Sequence, residues 1–114
     1  MHLLETPDGR YIVVHGRLWR RHRPDLEPVE RDRLVRALIE ARRALRAGRR
    51  SGNPAAIAAA TAAVDAAKRG LGERGPVWWT DSTPDFDRRL IRHTFYAAWY
   101  QALSGPEKSM LGRR

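Results

Sequence analysis

Residues 46–57, "RAGRRSGNPAAI", end one predicted helix and begin another, and this junction decides the fold. Asn53 followed by Pro54 is a strong helix start, because asparagine caps the first turn and proline fits the first helical position. Residues 24–52 place apolar side chains at helical spacing, with acids near the beginning and arginines near the end, as the helix dipole favours. A second apolar stripe continues to about residue 69. The short connection therefore predicts an antiparallel helical hairpin.

The first 23 residues predict three short strands joined by tight turns. In Pro7-Asp8-Gly9, proline presets one backbone dihedral angle and glycine accepts a positive one, which is typical of a turn. His15-Gly16 is a second, tighter turn between two segments rich in strand-forming residues. In the third strand, Leu18 and Arg20 fall on one face, so Trp19 lies on the other. These features predict an antiparallel three-stranded meander.

Thr83-Pro84 repeats the signal of a capping residue followed by proline. It predicts a final helix over about residues 84–103, with Asp85 and Asp87 in its first turn. The predicted fold class is therefore α+β, with the meander followed by the helical hairpin and a C-terminal helix. We expect a single domain over residues 1–104 and a flexible tail over residues 105–114.

The composition is strongly basic, with 22 lysines and arginines against 13 acids and a net charge of +9. Such a charge favours nucleic acid or another acidic partner, although a GC-rich genome would also raise the arginine content. The chain has no cysteine, which excludes disulfides and cysteine-based sites. No secretory signal or bilayer-spanning apolar stretch is visible, so we expect a soluble, cytoplasmic protein without membrane insertion. We predict no cofactor, and no metal site, because Asp81, Asp85 and Asp87 lack the glycine and glutamate of a calcium loop.

Two basic segments are candidate nucleic-acid contacts. Residues 42–50 contain five arginines and no acid, and helical spacing aligns them into a ridge that can follow a phosphate backbone. Alternatively, these arginines only offset the helix dipole and remain solvated. Residues 17–23 interleave Trp19 with arginines, as in a stacking platform for single strands, although a core role for Trp19 is the alternative. The predicted nucleic-acid-binding residues are Arg20, Arg21, Arg23, Arg42, Arg43, Arg46, Arg49 and Arg50.

Consecutive Trp78 and Trp79 point to opposite sides of an extended segment, so we expect one in the core and the other over a helix end or against a ligand. Two alternatives to a nucleic-acid-binding function remain open. In the first alternative, the protein is a structural or interaction module that docks on a protein or self-associates through its helices. In the second, it is a small enzyme built around His93, which requires a cleft shared with Asp85 and Tyr96.

The segment from residue 72 to residue 103 resembles the end of a family of small uncharacterised bacterial proteins. In that family, Gly-Pro-x-Trp-Trp precedes Pro-Asp-Tyr-Asn-Arg and then Asn-Thr-Pro-Tyr-Ala-x-Trp-Tyr. The matching residues are Gly75, Pro76, Trp78, Trp79, Pro84, Asp85, Arg88, Leu90, Thr94, Tyr96, Ala97, Trp99 and Tyr100. The departures are Phe86 for tyrosine, Asp87 and His93 for asparagine, and Phe95 for proline. The resemblance implies membership of this family and supplies no catalytic residue; its motif residues, structural or ligand-binding, are Trp78, Trp79, Asp85, Arg88, His93, Tyr96, Trp99 and Tyr100.

Overall fold

A computed structural model describes residues 3–103, and these residues divide into two compact units. The sheet unit takes the described residues up to Arg21 and those from Trp79 onward, and the helical unit comprises His22–Trp78. The order of strands and helices confirms the predicted α+β class. The single domain over residues 1–104 stays a prediction, and the predicted tail lies outside the described residues.

The sheet unit contains the predicted meander, with strands β1 (Leu4–Glu5), β2 (Tyr11–Val14) and β3 (Arg17–Arg20) in the order β1-β2-β3. Both pairs are antiparallel. The turn between β2 and β3 is tight because His15 and Gly16 both adopt positive φ, of 52° and 74°. Two such residues match the right-handed twist of the strands that they join.

The core of the sheet unit is largely aromatic. The Tyr11 ring is fully buried and meets Trp79 edge-on, at 5.6 Å between ring centroids, and Tyr96 edge-on at 5.7 Å. Leu18 of β3 and Ile91 also lie in this core, with 0% and 2% of their surface exposed, as does Val13 of β2. Since the strands are short, these large rings supply much of the apolar area that holds the unit together.

The helical unit is the predicted antiparallel hairpin of α1 (Pro28–Ser51) and α2 (Pro54–Leu71). The Asn53 side chain caps α2 by accepting the Ala56 N–H at 3.2 Å, as the sequence predicts. Gly52 ends α1 in the left-handed conformation. The core of this unit contains Leu34, Leu38, Ala67 and Leu71. Within residues 3–103, no helix combines the length and the apolar composition needed to cross a bilayer.

The helix predicted over residues 84–103 is wrong in extent. The structure has a short 3₁₀ helix at Ile91–His93 and a five-residue helix, α3, at Ala97–Gln101. The backbone just before the 3₁₀ helix pairs with β3 instead: the Arg88 N–H donates to the Leu18 carbonyl at 2.7 Å, and the Leu18 N–H donates to the Arg89 carbonyl at 2.9 Å. These backbone groups are engaged by the sheet, so they are unavailable to a continuous helix.

The two aspartates that were expected to cap this helix serve the sheet and a local turn. Asp87 accepts the backbone N–H of Arg20 at 2.8 Å, and Asp85 accepts the backbone N–H of Asp87 at 2.9 Å. Without a continuous helix there is also no continuous apolar face, and Phe95 is 61% exposed.

Candidate nucleic-acid interface

The arginines of residues 42–50 all lie on the exposed side of α1. The buried side of the helix carries Leu34, Leu38, Ala41 and Gly48. Successive helical residues turn by about 100°, so the five arginines fall within about 120° of the circumference and about 12 Å of helix length. We call this set, Arg42, Arg43, Arg46, Arg49 and Arg50, the α1 arginine face.

Carboxylates neutralise little of this face. Arg43 forms an ion pair with Glu40 at 3.1 Å, and both side chains are about two-thirds exposed, at 66% and 71%. Among the residues described, no carboxylate pairs with Arg46, Arg49 or Arg50 within 4.0 Å. The sequence explains this, because residues 41–64 contain no acid.

The charge of Arg42 helps to lower the pKa of the nearby Glu73 carboxylate. Burial raises the pKa of Glu73, but the hydrogen bond with His22 and the surrounding cations, Arg42 among them, outweigh burial and leave that pKa lowered. His22 Nε2 lies 2.9 Å from Glu73 Oε2. Glu73 thus has a direct partner in His22, and Arg42 remains exposed.

The helix dipole accounts for only part of the α1 arginine face. Arg49 and Arg50 lie in the last turn of α1, where the carbonyl ends of the helix attract cations. The dipole effect falls off within one turn, so it does not explain Arg42, Arg43 and Arg46.

The three predicted contacts of the second basic segment, Arg20, Arg21 and Arg23, do not form a free cationic patch. The Arg20 side chain is 1% exposed, with its Nη1 3.5 Å from Asp85 Oδ2, so it is not available to a ligand. Arg21 pairs with Glu5 at 3.4 Å. Arg23 donates twice to Asp25, at 2.7 and 3.0 Å, and this bond lowers the pKa of Asp25. Trp19 is half-buried on β3.

The two consecutive tryptophans lie in different environments, as the sequence predicts. Trp79 is buried and donates its indole N–H to the Thr83 carbonyl at 2.8 Å, and the Arg10 guanidinium lies over its ring at 4.8 Å. Trp78 is half-buried and lies against the end of α2, where a Cβ added to Gly72 would come within 3.0 Å of its ring. Trp79 is therefore a core residue, and Trp78 covers a helix end.

Tyr96 is also structural. It is buried, and its hydroxyl donates to Asp8 Oδ2 at 2.5 Å. Burial raises the pKa of Asp8, but hydrogen bonds from Tyr96, Thr6 and the Arg10 backbone outweigh it, so the pKa of Asp8 is lowered. Burial and the charge of Asp8 raise the pKa of Tyr96. This bond connects the first turn of the chain to the C-terminal segment.

The three residues of the enzymatic alternative have separate surroundings. His93 is exposed, Tyr96 bonds Asp8, and the Asp85 carboxylate lies beside Arg20. No described contact brings these three side chains together, so the structure gives the enzymatic alternative no support. Within residues 3–103, no cluster of three metal-ligating side chains is present.

The fold assembles a second basic surface that sequence reasoning missed in part. Arg17 pairs across the sheet with Leu90, and its Nη1 donates to the Arg88 carbonyl at 2.7 Å. Arg88 was among the motif residues, but Arg17, Arg89 and Arg92 were not among the predicted site residues. Arg17 and Arg88 are 71 positions apart. No local signal could therefore have joined them.

Comparisons with models of protein families, with curated proteins and with solved structures give no match for this chain. The resemblance to the small bacterial family stays a prediction.

Proposed function

We propose that the protein is a non-enzymatic binding protein whose α1 arginine face engages the phosphate backbone of duplex nucleic acid. The observation that carries this proposal is the presence of five exposed arginines within nine residues, of which, among residues 3–103, only Arg43 forms an ion pair with a carboxylate. The proposal also places the protein in the cytoplasm, because a chain without cysteine has no disulfides and suits a reducing compartment.

The chemistry of this surface favours phosphates over bases. The helical hairpin from Pro28 to Leu71 contains no phenylalanine, tyrosine or tryptophan, so it offers no ring for base stacking. Planar guanidinium groups bind phosphate oxygens in pairs, which suits a duplex whose bases are stacked inside. Contacts of this kind position a protein without reading sequence.

The ion pair between Arg43 and Glu40 does not oppose binding. Exposed ion pairs between Arg and Glu are worth roughly 0–1 kcal/mol, because both charges are well hydrated. Arg43 can therefore exchange Glu40 for a phosphate at little cost.

The salt dependence of binding tests the proposal. Each arginine that neutralises a phosphate of duplex DNA contributes about −0.9 to the slope of log affinity against log salt, so five contacts predict about −4.5. Fluorescence anisotropy of a labelled duplex over a salt series gives this slope. Arg46→Gln and Arg50→Gln should each make it shallower by about 0.9 and weaken binding at low salt. Glutamine retains helix propensity, so the helix itself is preserved.

Arg31→Gln is the matched control, because Arg31 is also exposed on α1 and its loss changes the net charge equally. It lies about 16 Å along the helix from the nearest arginine of the face. If this variant changes the slope as much as Arg46→Gln, binding follows total charge and the proposal fails. A dimer that persists at high salt without nucleic acid, seen by sedimentation, would favour the interaction-module alternative.

A further inference from the structure

A second cationic surface lies in the sheet unit, where residues 88–91 cover the outer edge of β3. Across this edge the Arg88 N–H donates to the Leu18 carbonyl and the Leu18 N–H donates to the Arg89 carbonyl, while the Ile91 N–H donates to the Gly16 carbonyl at 2.8 Å. Arg17, Arg88, Arg89 and Arg92 are all exposed here. We call these four arginines together with Phe95 the β3-edge surface.

Phe95 presents an aromatic ring on this surface. The ring is 61% exposed, yet neighbouring rings hold it on its remaining side. Phe86 meets it edge-on at 5.1 Å between centroids, and Tyr96 lies at 4.6 Å. Tyr96 is itself fixed by its bond to Asp8. An exposed ring held in this way loses little conformational freedom when a flat ligand stacks on it.

The backbone that carries two of these arginines runs near Phe95. Phe86 precedes Arg88 by two residues, and Arg92 precedes Phe95 by three. Because the Phe86 and Phe95 rings are in contact, the backbone of both arginines lies within a few residues of the exposed Phe95 side chain.

The acids nearby are already engaged. Asp87 accepts the Arg20 N–H through one oxygen, and its other oxygen lies 3.9 Å from Arg88 Nε. Asp85 pairs with the buried Arg20. Among the described residues, Arg89 and Arg92 pair with no carboxylate within 4.0 Å. The surface therefore keeps a positive charge.

The backbone at this edge is strained. Arg88 has φ of 69°, in the left-handed region that an arginine rarely adopts. Its N–H bond to Leu18 holds it there. Strain of this kind persists only where surrounding contacts enforce it, and it is often found at binding sites.

We infer that the β3-edge surface binds single-stranded nucleic acid, with one base stacked on Phe95 and the adjacent phosphates on its arginines. One exposed aromatic residue on a segment that also carries exposed arginines suits stacking plus phosphate contact, whereas a protein interface needs a larger apolar core. The inference concerns a different unit and a different ligand from the proposed function, and it does not rest on it.

Fluorescence anisotropy with a labelled oligothymidylate of about 12 nucleotides tests this inference, since that length spans a typical single-strand site. Phe95→Leu keeps an apolar side chain but removes the ring, and it should weaken binding about 5- to 100-fold. Phe95→Trp should retain the wild-type affinity, because indole also stacks. Both variants change an exposed side chain, and circular dichroism will verify that they fold.

Variants that remove one positive charge test the contacts between the arginines and the phosphates. Arg89→Gln should weaken oligothymidylate binding and make its salt slope shallower by about 0.7. Arg31→Gln removes the same charge from the helical unit, outside the α1 arginine face, and should leave this binding unchanged. The inference is overturned if Phe95→Leu binds as the wild type does, if Arg31→Gln weakens binding as much as Arg89→Gln, or if the wild type does not bind oligothymidylate at low salt. These outcomes are separate from failure of the duplex assay, which depends on α1.

Discussion

Substituting Tyr96 by phenylalanine should destabilise the protein in a pH-dependent way. The buried Tyr96 hydroxyl donates to Asp8 at 2.5 Å, and the substitution removes that bond while keeping the ring that packs on Tyr11. Hydrogen bonds to charged groups contribute roughly 1.5–3 kcal/mol. Because the Asp8 side chain is 33% exposed, water can partly replace the hydroxyl, so we expect the lower end, about 1.5 kcal/mol. This corresponds to a fall of about 6 °C in Tm.

The sign of the pH dependence follows from Asp8. Its pKa is lowered in the folded protein from the ordinary value of 3.8, so its contribution to stability is fully present above that value. The contribution is lost as the pH falls through the folded-state pKa. The difference in free energy of unfolding between wild type and Tyr96→Phe should therefore be largest near pH 7 and shrink as the pH falls below 3.8.

Urea unfolding followed by tryptophan fluorescence at several pH values measures this difference, and Tyr11→Phe provides the contrast. The Tyr11 oxygen accepts the Phe86 N–H at 2.8 Å, and burial raises its pKa to about 12, so it stays neutral across this range. Its loss should cost about 1 kcal/mol at every pH. Equal losses for Tyr96→Phe at neutral and acidic pH would refute the role assigned to the Asp8 charge.

Two further predictions concern the glycine caps and the buried arginine. Gly72→Ala should destabilise the protein more than Gly52→Ala. Both glycines have positive φ, a conformation that costs alanine about 1 kcal/mol. Only at Gly72 would the new Cβ also meet a neighbouring atom, the Arg23 Cβ at 2.9 Å. Equal urea midpoints for the two variants would contradict the close approach. Arg20→Met should cost about 1–3 kcal/mol, since it leaves the Asp85 carboxylate without its ion pair. The folded Arg20→Met variant should bind duplex DNA as Arg31→Gln does. A loss of duplex affinity as large as that of Arg46→Gln would show that Arg20 contacts the nucleic acid after all.

The helical hairpin could be predicted because its signals are local. Asn53 accepts an N–H three residues on, and Gly52 takes the left-handed conformation that ends α1. Thr83-Pro84 looks the same in sequence, but there the Phe86 N–H donates to the Tyr11 hydroxyl, which is distant in sequence. The Thr83 carbonyl accepts the Trp79 indole. Tertiary partners thus occupy the groups that a helix would have used.

The candidate site divides in the same way. The α1 arginine face follows from helical spacing alone, so the sequence sufficed to predict it. For β3, Arg20 was predicted to contact nucleic acid, and this was wrong: it lies on the same face as Leu18, and both residues are buried. The β3-edge surface joins Arg17 to residues 88–92, and no periodicity in the chain indicates that pairing.

The net charge of +9 alone does not distinguish a binding surface from a set of structural ion pairs, since pairing leaves the total unchanged. The distribution of acids does distinguish them. Arg20, Arg21 and Arg23 each pair with an aspartate or glutamate, so their fields cancel at short range. Residues 41–64 contain no acid, and ionic screening over about 8 Å limits what more distant carboxylates can offset there. A polyanion approaching the helical unit should therefore meet its strongest attraction along the C-terminal half of α1, where a single charge removed has the largest effect on the salt slope.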